Sequence, residues 1–373
     1  MTLSRQPAYW LFVLLVLTSI GLVGAQQLSY LTAYPQAWFL SVVLLAAVAI
    51  PVGIVIYRLD QFEPELASLI VVALVWGGVV SLAFAAVVNT AFLTFLLHVM
   101  STRSVDSWGA SIVAPIDEEF YKGAGLVMIY LIARHEIDGL MDGLVYGAMI
   151  GLGFQVMEDI QYFVHAAAQT QGGGVGGVIG TFFVRVLIAG LYSHMLFTGL
   201  TGFGFAYFIT RRGTVSWARR AGTFALFVLA AWAAHFVWNS PWLGSLQQGG
   251  AGRFILVLVI KGLPFLILLL IMGIVARRRE TQAFSRLMTE EVGGDAVTPE
   301  EFQVLRSGHR RRQVARATRR KSGRYAKRLV KRIMREQMNL ALFHSKIQDP
   351  GHAAVAAQRD KIRQLKAQLA GLK

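Results

Sequence analysis

The sequence predicts an all-α, polytopic membrane protein: about eight transmembrane helices followed by a basic, partly helical tail. Two observations carry this. The first is apolar excess: 55% of the 373 residues are hydrophobic, with a mean hydropathy of +0.53, against about 45–50% in soluble chains. The excess falls in long runs, and a bilayer core needs roughly 20 apolar residues in a helix. Runs of that kind span as helices, which satisfy their own backbone polar groups in lipid. The second is segregated charge. From Arg277 onward there are 24 Lys/Arg and 9 Asp/Glu, which accounts for the whole net charge of +15, whereas residues 1–276 hold twelve of each. Cysteine is absent, which excludes disulfides, Cys-bound zinc and thiol catalysis.

The expected spans are about 8–25, 37–57, 66–88, 111–133, 139–165, 178–210, 222–239 and 254–276. The stretch 89–100 either prolongs the third span or lies along the interface. Arg5, the first apolar run and "VGA" before Gln26 also resemble a cleavable signal peptide. Alternate loops differ in charge. One set carries Arg5, Arg58, Arg134, Arg211, Arg212, Arg219, Arg220 and Arg277–Arg279; the other carries only Arg103 and Arg253. By the positive-inside rule both termini are cytoplasmic in a multi-pass protein of the cell membrane. "QGGGVGG" (171–177) reads as a flexible outer loop.

Domain organisation follows the same division: a membrane bundle at 1–276, a linker at 277–298 and a basic cytoplasmic tail at 299–373. Within the tail, Thr298, Pro299 and Glu301 have the pattern of a helix N-cap, N1 and N3. A last amphipathic helix is expected after Pro350-Gly351. The clustered Lys/Arg suit anionic lipid. The aromatics there are few (Phe302, Tyr325, Phe343), which argues against nucleic acid recognised by stacking.

Polar residues inside the spans fall into four pairs, each at i, i+4 and so on one helix face: Glu118/Lys122, Glu158/Tyr162, His194/Thr198 and His235/Asn239. Alone, several have plain explanations. Glu118/Lys122 suits an interfacial ion pair, His194 an interhelical packing contact, and His235/Asn239 the end of a span before Pro241. Glu158 lies inside an apolar helix, where ionisable residues serve function. Glu118 is about seven residues, or roughly 10 Å, into its span; Glu158 and His235 lie at comparable depth from the outer ends of theirs. Four polar stripes thus share the outer half of the membrane. Asp159 either faces the loop or pairs with Arg185, and Arg185 and Lys261 either partner the acidic site or snorkel outward.

These residues resemble the PrsW family of intramembrane proteases, a branch of the group that includes CAAX prenyl endopeptidases. The EExxK motif is met by Glu118-Glu119-Phe120-Tyr121-Lys122. A Gly-Phe run followed by Glu and Tyr is met by Gly153-Phe154 and Glu158…Tyr162. A His followed by Phe and Gly is met by His194, Phe197 and Gly199, and a later His with Asn four on by His235 and Asn239. The motifs cover about 110–240. Glu158/Tyr162 stand where the prenyl-processing branch has a His, which argues against that activity. The resemblance implies an endopeptidase that cuts a membrane-tethered protein near the outer face, with anti-sigma-factor processing as the regulated role.

The residue types can support peptide hydrolysis. Glu118 is the candidate general base. Glu119 points about 100° away from it, to hold either Lys122 or a neighbouring helix. Lys122 balances the pair, His194 orients the water, and His235 and Asn239 donate to the oxyanion. Tyr162 orients Glu158 or touches substrate. No cofactor is favoured; zinc held by Glu158, His194 and His235 is the alternative. A glutamate mechanism is preferred because it gives Lys122 and Asn239 a role. Two other classes use the same residues differently: a proton-coupled carrier with intramembrane Glu, His and Lys, and a non-catalytic scaffold that works through the tail.

Overall fold

Proline and serine punctuate the chain where the sequence leaves helical geometry. The computed structural model describes residues 5–372 apart from 61, 63–64, 171–173, 189–192, 248–249, 348 and 350. Helix α1 (Pro7–Ala33) begins on Pro7 and ends at Tyr34, whose φ of −138° and ψ of 60° also open α2 (Pro35–Tyr57). The residue before a proline avoids the helical region, so Tyr34-Pro35 turns the chain in a single residue. Helix α3 (Ala67–Val75) passes through a π-helical turn, Trp76–Ser81, into α4 (Leu82–Val99). Together they form one 33-residue apolar helix, Ala67–Val99. The stretch 89–100 therefore prolongs the third span.

Helix α5 (Thr102–Ile132) starts nine residues before the expected 111, because Ser101 caps it: its Oγ accepts the Ser104 N–H at 3.2 Å. Helix α6 (Leu140–Gln169) is fixed at its start by Asp142, whose Oδ2 accepts the N–H groups of Asp138 at 2.9 Å and Gly139 at 2.7 Å. The expected outer loop 171–177 differs in its second half. Helix α7 (Val175–Phe182) begins at Val175, and 171–173 lie outside the described residues. A π-helical segment, Phe183–Ile188, follows α7, and α8 is Ser193–Thr210. The single long span expected at 178–210 is thus described as separate helices. The chain continues as α9 (Trp217–Asn239), the short α10 (Gly244–Gln247) and α11 (Ala251–Leu287). Among the described residues six helices are long and apolar enough to cross a membrane: α1, α2, α3–α4, α6, α9 and α11. The other two expected spans coincide with α5 and α8, which carry polar residues of the site. The protein is an all-α polytopic membrane bundle.

The described chain divides into two compact units, Met1–Asp60 with Pro64–Ala276, and Gln61–Glu63 with Arg277–Lys373. In the first, α6 is the central helix and packs against α8, α2, α3, α7 and the Trp76–Ser81 turn. Its glycines repeat every fourth residue, the small-residue spacing that lets membrane helices approach closely. A Cβ on Gly147 would overlap the Thr198 carbonyl, and one on Gly151 the His194 carbonyl. This approach presses the start of α8 onto α6.

The second unit holds α12 (Pro299–Leu305), α13 (Gly308–Ile347) and α14 (Ala353–Ala370). Thr298 and Glu301 form the expected reciprocal cap of α12, at 3.2 and 2.9 Å. Helix α13 is broken at Gly323, whose φ of +83° suits glycine. Residues 277–287, read as linker, are helical. The tail is more than a solvated extension, because Phe284, Met288, Leu305, Met334, Leu340, Val355 and Ile362 build a core of its own. Glu291 is buried beside it, 2.6 Å from His344 Nε2 and 2.6 Å from Arg359 Nη2. Burial pushes its carboxyl up, but hydrogen bonds from Arg359 and His344 hold it below the ordinary carboxylate value.

Candidate active site

The site assembles from α5, α6, α8 and α9. Helix α5 supplies Glu118, Glu119 and Lys122, all buried. Lysine reaches both of its carboxylates because they stand three and four residues before it. Its Nζ is 2.6 Å from Glu119 Oε1 and 3.4 Å from Glu118 Oε2. The 100° between the two glutamates is therefore bridged, and Glu119 belongs to the cluster.

From Lys122 the polar contacts run in two directions. The ammonium donates to His194 Nδ1 at 2.8 Å. An ammonium has only donors, so Nδ1 is the acceptor and Nε2 carries the proton, which points at Glu158 Oε2, 3.2 Å away. In the other direction, Glu119 Oε1 lies 2.9 Å from His235 Nδ1. A carboxylate accepts, so His235 Nδ1 carries its proton and Nε2 keeps a lone pair. That lone pair faces Glu118 Oε2 at 3.9 Å, and Glu118 Oε2 also lies 3.8 Å from His194 Nδ1. The two imidazoles thus flank Glu118, each backed by a different glutamate.

Aromatic rings wall the cluster. Lys122 Nζ sits 4.5 Å from the Phe154 ring centre, a cation–π contact. Phe197 stacks on His235 at 4.8 Å. The group is closed to solvent: Lys122 is 0% exposed, His235 2%, and Glu118 and His194 4% each.

Further polar residues lie behind Glu158. Arg185 donates to Glu158 Oε2 at 2.8 Å and to Asp159 Oδ1 at 2.7 Å. Gln155 donates to Asp159 at 3.0 Å and accepts from the Ser193 hydroxyl at 2.8 Å and the His194 N–H at 3.4 Å. It therefore ties α6 to the backbone that carries His194. Sequence reasoning missed Gln155. Its signal is an amide four residues before Asp159 in an apolar helix, weaker than that of an ionisable group because burying a neutral amide costs less.

Two predicted residues stand apart. Tyr162 is half-exposed and lies under Arg185, whose guanidinium carbon is 3.6 Å from the ring centre; it supports the residue that holds Glu158. Asn239 turns to the Ala110 carbonyl at 3.4 Å, a turn of helix beyond His235, so it does not face the cluster. Lys261 donates to the carbonyls of Ser240 at 2.5 Å and Trp238 at 3.5 Å. It closes the end of α9 and is not a partner of the acidic cluster.

The metal-binding geometry also differs from the expected Glu158, His194 and His235. Glu118, His194 and His235 form a group whose ligand atoms lie within 4.8 Å of one another, while Glu158 is engaged by Arg185. Two imidazoles and a carboxylate suit a catalytic zinc, and Glu119 and Glu158 stand where carboxylates orient metal-bound imidazoles. The donor set fits a metal, although His194 Nδ1 is the atom that Lys122 holds.

Helices that bury an acid–base cluster of this kind inside an apolar bundle define a membrane-embedded enzyme. A family profile, that of the "PrsW family intramembrane metalloprotease", matches residues 65–271, more than half of the chain, and the chain belongs to that family. It is an intramembrane protease acting on membrane proteins. No curated protein matches, and no solved structure matches. The matched range contains every residue of the cluster and excludes the C-terminal unit. Membership answers the carrier and scaffold alternatives.

Proposed function

We propose that the protein hydrolyses a peptide bond of a membrane-tethered substrate near the outer face of the membrane, with water activated by Glu118. Both termini are then cytoplasmic, and an anti-sigma factor is the substrate class that the family suggests. The observation that supports the glutamate mechanism best is Lys122. Its ammonium gives the site a built-in cation, in contact with Glu118, Glu119 and His194.

In this mechanism a water donates one hydrogen to Glu118 Oε2 and is oriented by the His235 Nε2 lone pair. Its oxygen attacks the substrate carbonyl as Glu118 takes the proton. Negative charge develops on the carbonyl oxygen against the Lys122 ammonium, where a dry setting strengthens the attraction. Glu118 then returns the proton to the leaving amine and the C–N bond breaks. Glu119 and Glu158 hold the imidazoles in the required tautomers, and Asn239 has no part.

The donor set favours a second reading. A zinc ion would be held by Glu118, His194 and His235, and would supply a water acidic enough to attack at neutral pH. It would compete with Lys122 for His194 Nδ1. Co-expression with single-span membrane proteins tests the reaction, comparing wild type with Glu118→Gln and His194→Ala. Cleavage lost in both variants supports the reading, and cleavage that persists in both defeats it. Purified enzyme that keeps its activity in chelator follows the glutamate mechanism; activity lost to chelator and restored by zinc follows the metal.

A further inference from the structure

The charge of the C-terminal unit is arranged as well as abundant. Between Phe302 and Arg335 there are fourteen Lys/Arg and no Asp/Glu. After the break at Gly323, α13 separates its residue types by face. Arg324, Arg328, Lys331 and Arg335 follow one another at i, i+4, i+7 and i+11, which sets them in a row about 16 Å long on one side of a helix. All four are exposed. The opposite side, with Ala326, Leu329, Val330 and Ile333, is buried in the unit. Within the row only Arg335 has a carboxylate contact among the described residues, a loose 3.8 Å approach to Glu336. Tyr325, 57% exposed, stands at the head of the row. A straight line of exposed cations with one amphipathic ring suits an extended anionic surface.

The chain supplies such a surface. The basic run begins at Arg306, thirty residues after Ala276, the last residue of the apolar bundle unit. Being part of the same chain as the membrane-embedded bundle keeps the row at high effective concentration near that membrane. Clustered Lys/Arg near a span are drawn to acidic headgroups, and a tyrosine settles at the headgroup level. We propose that the Arg324–Arg335 face of α13 is a docking surface for anionic phospholipid headgroups of the protein's own membrane. It lies outside the protease core, and its loss leaves the active-site assignment untouched.

The absence of native cysteine makes the test direct, since Ser322→Cys gives one labelling position beside the row. The full chain carrying a fluorophore there is placed in nanodiscs of phosphatidylcholine, with or without phosphatidylglycerol. Both contain a headgroup-quencher lipid. Quenching is expected in the anionic discs and to fall as salt shortens the Debye length. Replacing Arg324, Arg328, Lys331 and Arg335 by glutamine lowers the docking equilibrium more than about tenfold. Equal quenching in neutral and anionic discs, or quenching indifferent to salt, overturns the proposal. So does a label that responds to added double-stranded RNA but not to anionic lipid. The salt titration uses the intact row and decides the point if the four-glutamine variant fails to fold.

Discussion

A buried lysine among carboxylates and imidazoles sets the character of this site. Lys122 meets Glu118, Glu119 and His194 at once, and truncating it strips the cluster of its central cation. Lys122→Met is expected to abolish cleavage and to lower the melting temperature, because breaking one partner out of a buried charge group is strongly destabilising, by about 3–5 kcal/mol. A variant that melts like wild type contradicts this. Glu118→Gln keeps the shape and removes the base, so cleavage is expected to fall about 10²–10⁴-fold with little change in melting. Asn239→Ala should cleave like wild type, since its amide serves the Ala110 carbonyl; a large loss would restore it to the site. These contrasts mark how far the sequence reached. Glu118, Glu158, His194 and His235 were legible because charge and imidazole stand out in apolar helices. Spacing at i, i+4 shares a face but moves about 6 Å along the axis, so Tyr162 and Asn239 share their partners' faces without reaching the centre. Glu119, expected to hold Lys122 or a neighbouring helix, lies 2.6 Å from Lys122 Nζ and 2.9 Å from His235 Nδ1.

At the scale of the element, the glycine row of α6 sets the register of α8. Gly151 lies against the His194 carbonyl and Gly147 against that of Thr198. Gly147→Ala forces the helices apart and is expected to cost about 1–3 kcal/mol, the range for overpacking, read as a lower melting temperature in detergent. Gly222→Ala on α9 meets nothing within 4 Å and serves as the neutral control. Gly151→Ala also displaces His194, so its activity should fall further than its stability; small displacements of catalytic groups cost about a hundredfold. Equal behaviour of Gly147→Ala and Gly222→Ala would show that the contact is not tight. The partner of these glycines had no signal in the sequence, since a small-residue row fits several neighbours. The π-helical turns had no sequence signal beyond Gly77-Gly78.

At the scale of the molecule, the C-terminal unit is expected to respond to acid through a group of its own. The C-terminal unit buries Glu291 between His344 and Arg359, and these partners hold its carboxyl below the ordinary value of about 4.3. A carboxylate so held stabilises the fold fully above its unfolded value, and that stability is lost as pH falls through the folded one. Proteolysis of α13 and α14 in the full chain should therefore accelerate below about pH 4.3, and Glu291→Gln should flatten that dependence. A profile unchanged in the variant assigns the acid sensitivity elsewhere. The sequence placed the charge of this unit correctly but hid its core, because apolar residues are sparse in the Arg-rich stretch and gather only when α12, α13 and α14 fold together. The bundle presents a different consequence, which follows from the sealed cluster around Lys122. Its ammonium, carboxylates and imidazoles contact one another out of solvent, and such a closed site would be latent. Under the proposed mechanism a passing transmembrane helix would meet an apolar wall, and hydrolysis would wait on a substrate that draws the helices apart and takes Lys122 for its own carbonyl. Selectivity would then lie first in which chains can open the enzyme.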